Sequence, residues 1–311
     1  MKTFSVMILI LLAAGLPAVA QEWENVRSPF DQHITGICAV HADTLFLVTD
    51  KGQFARTVDG GWNWQVTTVA GKVHLEDVSF VNSRLGVACG RNGALWRTTD
   101  GGANWQSKSL PDTLPWFMDV EMFDAGTGLV IGMPRDSANP LDGLAFRTTD
   151  SGHTWHKIER IGMGYTEICH QTGAPVYLLS FGYIHRSDDL GGHWNTVKIP
   201  DGMAARAISI EGRTGIMAGP NAMFAWSADS GKTWTNLEGW SNQLFIAAQL
   251  VDENIGYAGG YEGVMKRTTD GGKTWNDDTL PLKFTVLDMC LAGNRLFAVG
   301  QDGNIIAKKI R

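Results

Sequence analysis

Four carboxylates stand at one recurring place in the chain. Asp77, Asp119, Glu167 and Asp288 each fall near the start of a short apolar stretch: Leu75-Glu76-Asp77-Val78, Phe117-Met118-Asp119-Val120, Thr166-Glu167-Ile168 and Leu287-Asp288-Met289. Arg206 lies one residue before the matching position, Ala207, of a fifth stretch. Converging carboxylates can bind a cation or a basic partner, or supply a general acid/base pair. The same residues can instead line a solvated rim and hydrogen-bond locally to turns. A second candidate is the insertion at 133–143, which carries Arg135 and Asp136; insertions on one face of a repeat protein often carry function, though loops also drift. Trp116, Trp240 and Tyr261 could stack on a sugar or anchor a peptide, and large aromatics equally serve as core. Other chemistry is missing. The eight His show no HExxH spacing, there is no Walker loop or GxSxG, and the Gly pairs precede no helix that could cradle a phosphate. No metal site and no cofactor are expected.

The elements that must position these residues are announced by a nine-residue phrase. It reads RTVDGGWNW (56–64), RTTDGGANW (97–105), RTTDSGHTW (147–155), RSDDLGGHW (186–194), WSADSGKTW (226–234) and RTTDGGKTW (267–275). A period of about forty residues marks the reuse of one supersecondary unit. Within a unit, short apolar runs alternate with Gly-rich turns such as Arg91-Asn92-Gly93, and no 3.6-residue period persists. Four antiparallel strands per unit describe a blade of a β-propeller. In the phrase, Asp59, Asp100, Asp150, Asp189, Asp229 and Asp270 are structural: each carboxylate is expected to accept backbone N–H groups two residues on, with Gly taking left-handed φ.

Counting first strands gives seven blades, beginning near Thr35, Leu75, Phe117, Thr166, Arg206, Ile246 and Leu287. The last runs out of chain before a fourth strand. Trp23-Glu24-Asn25-Val26-Arg27 has the fourth-strand pattern without the first three, so the N-terminal strand is expected to close the last blade. The fold class is thus all-β, a seven-bladed propeller of four-stranded antiparallel blades. Turns between third and fourth strands put all six phrases on one face. The first-strand starts, and with them the candidate site, lie on the other.

Residues 1–20 read as a secretory signal peptide, with Lys2, an apolar run at 4–14 and Ala18-Val19-Ala20 before the cut. The run is short for a membrane span, and no Cys marks a lipid anchor. Residues 21–311 are expected to form a single exported domain, periplasmic or secreted, monomeric and without membrane insertion. The net charge of -6 becomes one unit more negative without Lys2, which suits solubility and disfavours nucleic acid. Cys38, Cys89, Cys169 and Cys290 form no CxxC framework. They are expected as buried thiols, a closing Cys38–Cys290 disulfide being the alternative.

The phrase S/T-x-D-x-G-x-T/N-W resembles the Asp-box (BNR) repeat, which occurs in sialidases, xyloglucan-cleaving glycosidases, sortilin-type receptors and photosystem II stability/assembly factor-like proteins. Units such as Asp77-Val78-Ser79-Phe80, Gly86-Val87-Ala88-Cys89-Gly90 and Trp96-Arg97-Thr98-Thr99-Asp100-Gly101-Gly102 resemble the last group more selectively. That resemblance implies a non-catalytic binding or assembly scaffold, with a protein or glycan partner held on the face opposite the Asp-boxes. Photosynthetic members carry an arginine-rich face where this chain is largely acidic. The enzymatic alternative is a carboxylate-dependent glycoside hydrolase of sialidase or xyloglucanase type. The chain lacks the Arg-Ile-Pro phrase of sialidases and the second propeller of xyloglucanases.

Overall fold

The computed structural model describes residues 22–69, 73–108, 110, 115–134, 143–159, 162, 164–171, 173–199, 204–237 and 241–310. They form seven four-stranded sheets, each antiparallel and each a blade. The innermost strands are Ile34–His41, Leu75–Phe80, Trp116–Met122, Glu167–Cys169, Ala207–Glu211, Phe245–Leu250 and Val286–Ala292, numbered here as blades 1 to 7. Among the described residues, helical turns are limited to three 3-10 turns between second and third strands: Pro220–Ala222, Tyr261–Gly263 and Gln301–Gly303.

Blade 7 closes as the sequence implies. Glu24–Asn25 pairs with Ile305–Lys309, Glu24 opposite Ala307, and the Val26 N–H donates to Ile305 O at 2.9 Å. This outer strand is only two residues long, so its hold comes from the residue before it. Trp23 is buried at 5% exposure, donates its indole N–H to Asp278 Oδ2 at 3.1 Å and meets Tyr257 edge-on at 5.8 Å. Lys308 completes the corner with two bonds to the Asp278 carboxylate, at 2.8 and 2.6 Å.

The apolar core is divided among seven clusters, one at each junction between neighbouring blades. At the junction of blades 1 and 2, Phe46 and Phe80 stack at 3.7 Å, with Phe54 and Trp105 around them. Burial of such area is the main favourable term in folding, here spread around the ring rather than collected in one centre.

The Asp-box turn differs in reach from the expectation. Asp59 Oδ1 accepts the N–H of Asn63, four residues on rather than two, and Oδ2 accepts the Asn63 side chain. The shorter span belongs to Thr57, whose hydroxyl accepts the N–H groups of Asp59 and Gly61. The carboxylate therefore clamps the far end of the turn and the hydroxyl the near end. Asp100, Asp150, Asp189, Asp229 and Asp270 repeat the clamp with Asn104, Thr154, His193, Thr233 and Thr274.

A bulge near the start of the inner strand recurs and sets the site. In blade 2 the register shifts between Leu75 and Asp77, so Leu75 faces Gly90 while Asp77 faces Cys89. Blades 1, 3, 6 and 7 shift at the same place. The bulge brings the inner chain so near the second strand that a Cβ at Gly90 would stand 2.1 Å from His74 O. Gly132, Gly260 and Gly300 are crowded in the same way.

Candidate functional site

The structure brings Asp77, Asp119, Glu167 and Asp288 together on one cavity of about 380 Å³ that runs along the propeller axis. Each carboxylate turns sideways and accepts a backbone N–H from the inner strand of the next blade. Asp77 Oδ2 takes Val120 N–H at 3.0 Å, Asp119 Oδ2 takes Ile168 N–H at 2.6 Å, and Glu167 Oε2 takes Ile208 N–H at 2.7 Å. Asp288 Oδ2 takes Ile37 N–H at 2.8 Å, across the closure from blade 7 to blade 1. The ring of carboxylates is first of all a ring of inter-blade staples. Gly36, Ala207 and Ala247 hold the same position in blades 1, 5 and 6. Two of these blades substitute a residue two positions further on. The Phe80 N–H donates to the Cys38 sulfur at 3.4 Å and the Leu250 N–H to Ser209 Oγ at 2.9 Å.

The cost of this arrangement is electrostatic. Each carboxyl keeps some surface on the channel, but the channel is narrow and walled by protein on every side, so an ion there is poorly solvated. Burial pushes Asp119 and Glu167 well above the usual carboxylate range, and Asp77 in the same direction. Asp119 is raised further by the charge of Asp77, to which it is also hydrogen-bonded. Burial, then the charge of Asp77, lifts Asp288 to about 8. Glu121, two residues after Asp119 and so on the same side of the strand, also lines the cavity. Burial and Asp77 lift it to about 8. Sequence reasoning missed Glu121, although the two-residue strand period was the signal that could have found it. Among the described residues, no group of three His, Cys, Asp or Glu is placed to hold a metal ion.

Arg206 is exposed at the mouth of the same cavity. Cys38, Cys169 and Cys290 line the cavity walls, and all four thiols are free, without the Cys38–Cys290 disulfide. Burial raises the thiol of Cys169 to about 12 and those of Cys38, Cys89 and Cys290 well above their ordinary value.

Trp116 opens the inner strand of blade 3 on the face opposite the Asp-boxes, and it is exposed rather than core. It is fixed in place. Its indole donates to Glu76 Oε1 at 2.7 Å, and the Arg91 guanidinium lies 4.4 Å from its ring centre. Glu76 Oε1 also accepts Arg91 Nε at 2.8 Å and lies 3.1 Å from His74 Nε2. Tyr261 is exposed on the same face, as are Phe181 and Tyr183 of blade 4. Arg135, Asp136 and Trp240 lie outside the described residues. Among the described residues, the face opposite the Asp-boxes thus carries an acidic channel mouth, the exposed arginines Arg91 and Arg206 and four exposed aromatics.

The chain was compared with known proteins. The family model described as Photosynthesis system II assembly factor YCF48 matches residues 17–156 and 64–196, more than half of the chain. The Photosystem II assembly protein Ycf48 of Synechococcus sp. (strain JA-3-3Ab) is 26% identical, over 96% of this chain and 92% of that protein. The Photosystem II assembly lipoprotein Ycf48 of Synechococcus sp. (strain CC9902) is 30% identical over 132 residues, 40% of this chain and 39% of that protein. Among solved structures, YCF48 bound to D1 peptide superimposes with a TM-score of 0.75 at 19% identity, covering 96% of this chain and 99% of that one. YCF48 from Cyanidioschyzon merolae gives 0.74 at 16%, covering 92% and 98%. A virginiamycin B lyase from Staphylococcus aureus gives 0.73 at 13%, covering 93% of this chain and 98% of that one, and shares the fold alone. With its seven blades and the family match across more than half its length, the chain belongs to the photosystem II assembly factor Ycf48 family.

Proposed function

We propose that the protein is an exported, non-catalytic assembly scaffold that holds an extended segment of a partner protein on the face opposite the Asp-boxes. The observation that carries this reading is the set of exposed aromatics on that face, above all Trp116, locked upright by Glu76 and Arg91. A rigid aromatic with an adjacent guanidinium is the kind of anchor that dominates protein interfaces. The solved YCF48 with a bound D1 peptide supports a peptide as the occupant. Against hydrolysis, each first-strand carboxyl already has an oxygen engaged by the backbone of the next blade, and Asp77 is hydrogen-bonded to Asp119. Glycosidase pairs need roughly 5 to 10 Å between free carboxyls. Residues 1–20 act as the export leader, cleaved after Ala20, and residues 21–311 form the domain that reaches the periplasm or beyond.

The test is crosslinked co-purification from the native envelope, comparing the parent with Trp116→Ala and with a deletion of 135–142. Loss of the same protein band in Trp116→Ala supports the reading. Undiminished recovery of every band in both variants overturns it, and recovery of a glycan instead would replace the peptide.

A further inference from the structure

At two blade junctions the Arg that opens the Asp-box spans the gap. Arg97 Nε of blade 2 donates to Ser151 O at 2.6 Å, and Arg147 Nε of blade 3 donates to Leu190 O at 2.8 Å. Each acceptor is the fifth residue of the next blade's box. Blade 4 breaks this pattern. The matching acceptor is Ser230 O, and the Tyr177 hydroxyl, which also faces the Arg186 guanidinium, takes it instead at 3.0 Å. Arg186 Nε is therefore buried with no hydrogen-bond partner among the described residues. The other end of the guanidinium is held by Asp188, through Nη2.

Arg186 lines a cavity of about 180 Å³ between blades 4 and 5. Cys169, His170 and Gln171 belong both to its wall and to that of the axial channel, so it lies beside the channel at the Asp-box end. A second buried polar atom without a partner, His170 Nε2, stands on the same wall. The His170 ring is braced by Phe123, 4.9 Å away between ring centres. Pro175 and Ile210 supply apolar surface. Among the described residues no Asp or Glu lines this cavity, although the chain is acidic and carboxyls wall the channel next to it. A buried donor left unmet carries its desolvation cost uncompensated, so two on one small wall favour an occupant that accepts from both.

We infer that the cavity between blades 4 and 5 binds a carboxylate, whose oxygens accept from Arg186 Nε and His170 Nε2. The Arg nitrogen is always a donor, and the His nitrogen is one in the matching tautomer or the protonated ring. Hydrogen bonds between a guanidinium and a carboxylate are short and strong. A cavity of roughly 150 Å³ holds a benzene-sized molecule, so there is room for a carboxylate with a short apolar tail against Pro175 and Ile210. Inorganic phosphate suits the wall less well, because two donors leave most of its oxygens unmet. A free organic acid and the C-terminus of a polypeptide offer the same group. The site lies at the Asp-box end, away from the aromatics that face the partner segment, so the two readings stand or fall separately.

The experiment titrates isotope-labelled protein with butyrate, benzoate and inorganic phosphate at fixed pH and ionic strength, following the Arg186 Nε–H resonance by NMR. The parent is expected to show a saturable shift with butyrate or benzoate and a much smaller one with phosphate. Binding to the variants is read by saturation transfer to the same probes. Arg186→Lys removes the Nε donor and should weaken binding at least tenfold. Tyr177→Phe frees Ser230 O, so that Arg186 Nε turns to it as in blades 2 and 3; binding should again fall at least tenfold, with the urea midpoint near that of the parent. Circular dichroism checks both folds, and Arg186→Lys carries the test alone if Tyr177→Phe does not fold. An acetylated tripeptide with a free C-terminus, run beside its amide, separates the sources: tighter binding than butyrate assigns a chain terminus, and weaker binding a free acid. The inference is overturned if no carboxylate gives a saturable shift, or if a folded variant binds undiminished. Equal binding of phosphate and butyrate, or of the tripeptide and its amide, overturns it as well.

Discussion

Replacing Asp288 by Asn removes one ionisable group from the channel while keeping its shape. In the folded ring, burial first and the charge of Asp77 second hold this carboxyl up to about 8, against the bonds from Ile37 and Met289. Unfolded, it titrates near ~3.9. Between these values the folded protein binds more protons than the unfolded chain, so stability falls as pH rises. The contribution is complete below the unfolded value, is lost progressively through the folded one, and is constant above it. At about 1.36 kcal/mol per unit, the loss between pH 4.5 and 7.5 is at most about 4 kcal/mol. Asn avoids this loss but has one acceptor oxygen for two donors, the N–H groups of Ile37 and Met289. That costs about 1 kcal/mol at every pH. The variant should therefore lie up to about 1 kcal/mol below the parent near pH 4.5 and exceed it by up to about 3 kcal/mol at pH 7.5. Urea unfolding followed by tryptophan fluorescence at both values gives the comparison. An equal difference between the two proteins at both pH values would refute the reasoning, because a purely structural effect has no slope.

Four further outcomes follow from the same contacts. Thr268→Val leaves the N–H groups of Asp270 and Gly272 without their acceptor and should cost about 1–3 kcal/mol in denaturant unfolding; an unchanged midpoint would mean the hydroxyl half of the clamp is dispensable. Gly260→Ala drives a Cβ to 1.9 Å from Leu244 O at the blade-6 bulge and should cost at least about 1–3 kcal/mol, seen as a lowered Tm. Trp23→Ala empties the closure corner and should cost about 3–5 kcal/mol, with proteolysis at the N-terminal strand as the early sign. In native protein at pH 8 the four thiols should label far more slowly with iodoacetamide than in urea, since burial keeps them protonated.

The blade count and the closure were legible because a turn clamp repeats where geometry permits few alternatives. Trp23 could be placed by counting from Trp64, and Trp23 is where the ring is fastened. The inner-strand starts fell within a residue of their observed places, since apolar runs after a Gly-rich turn are hard to misread. What the chain did not disclose was direction. Asp77 and Asp119 face the channel in any reading, but their oxygens turn onto Val120 and Ile168 at a bulge. A bulge is a backbone register shift with no residue of its own in the sequence. The Trp116 anchor was half visible for a similar reason. Its exposed ring depends on Glu76 and Arg91, which come from a different blade and from two different segments. Clustering of that kind appears only when the ring is assembled.

Closing the last blade with the first strand also has a consequence in time. The bond between Trp23 and Asp278 joins positions 255 residues apart, and Glu24 waits for Ala307. Such a loop must be closed against its entropy before the contacts reward it, which makes the step slow. Blades 1 to 6 can each form as their strands arrive, but the circle stays open until nearly the whole chain is present. An incomplete chain therefore exposes two unpaired strand edges, and the completed one loses both in a single event. Closure acts as the checkpoint that separates a nascent chain from a working ring.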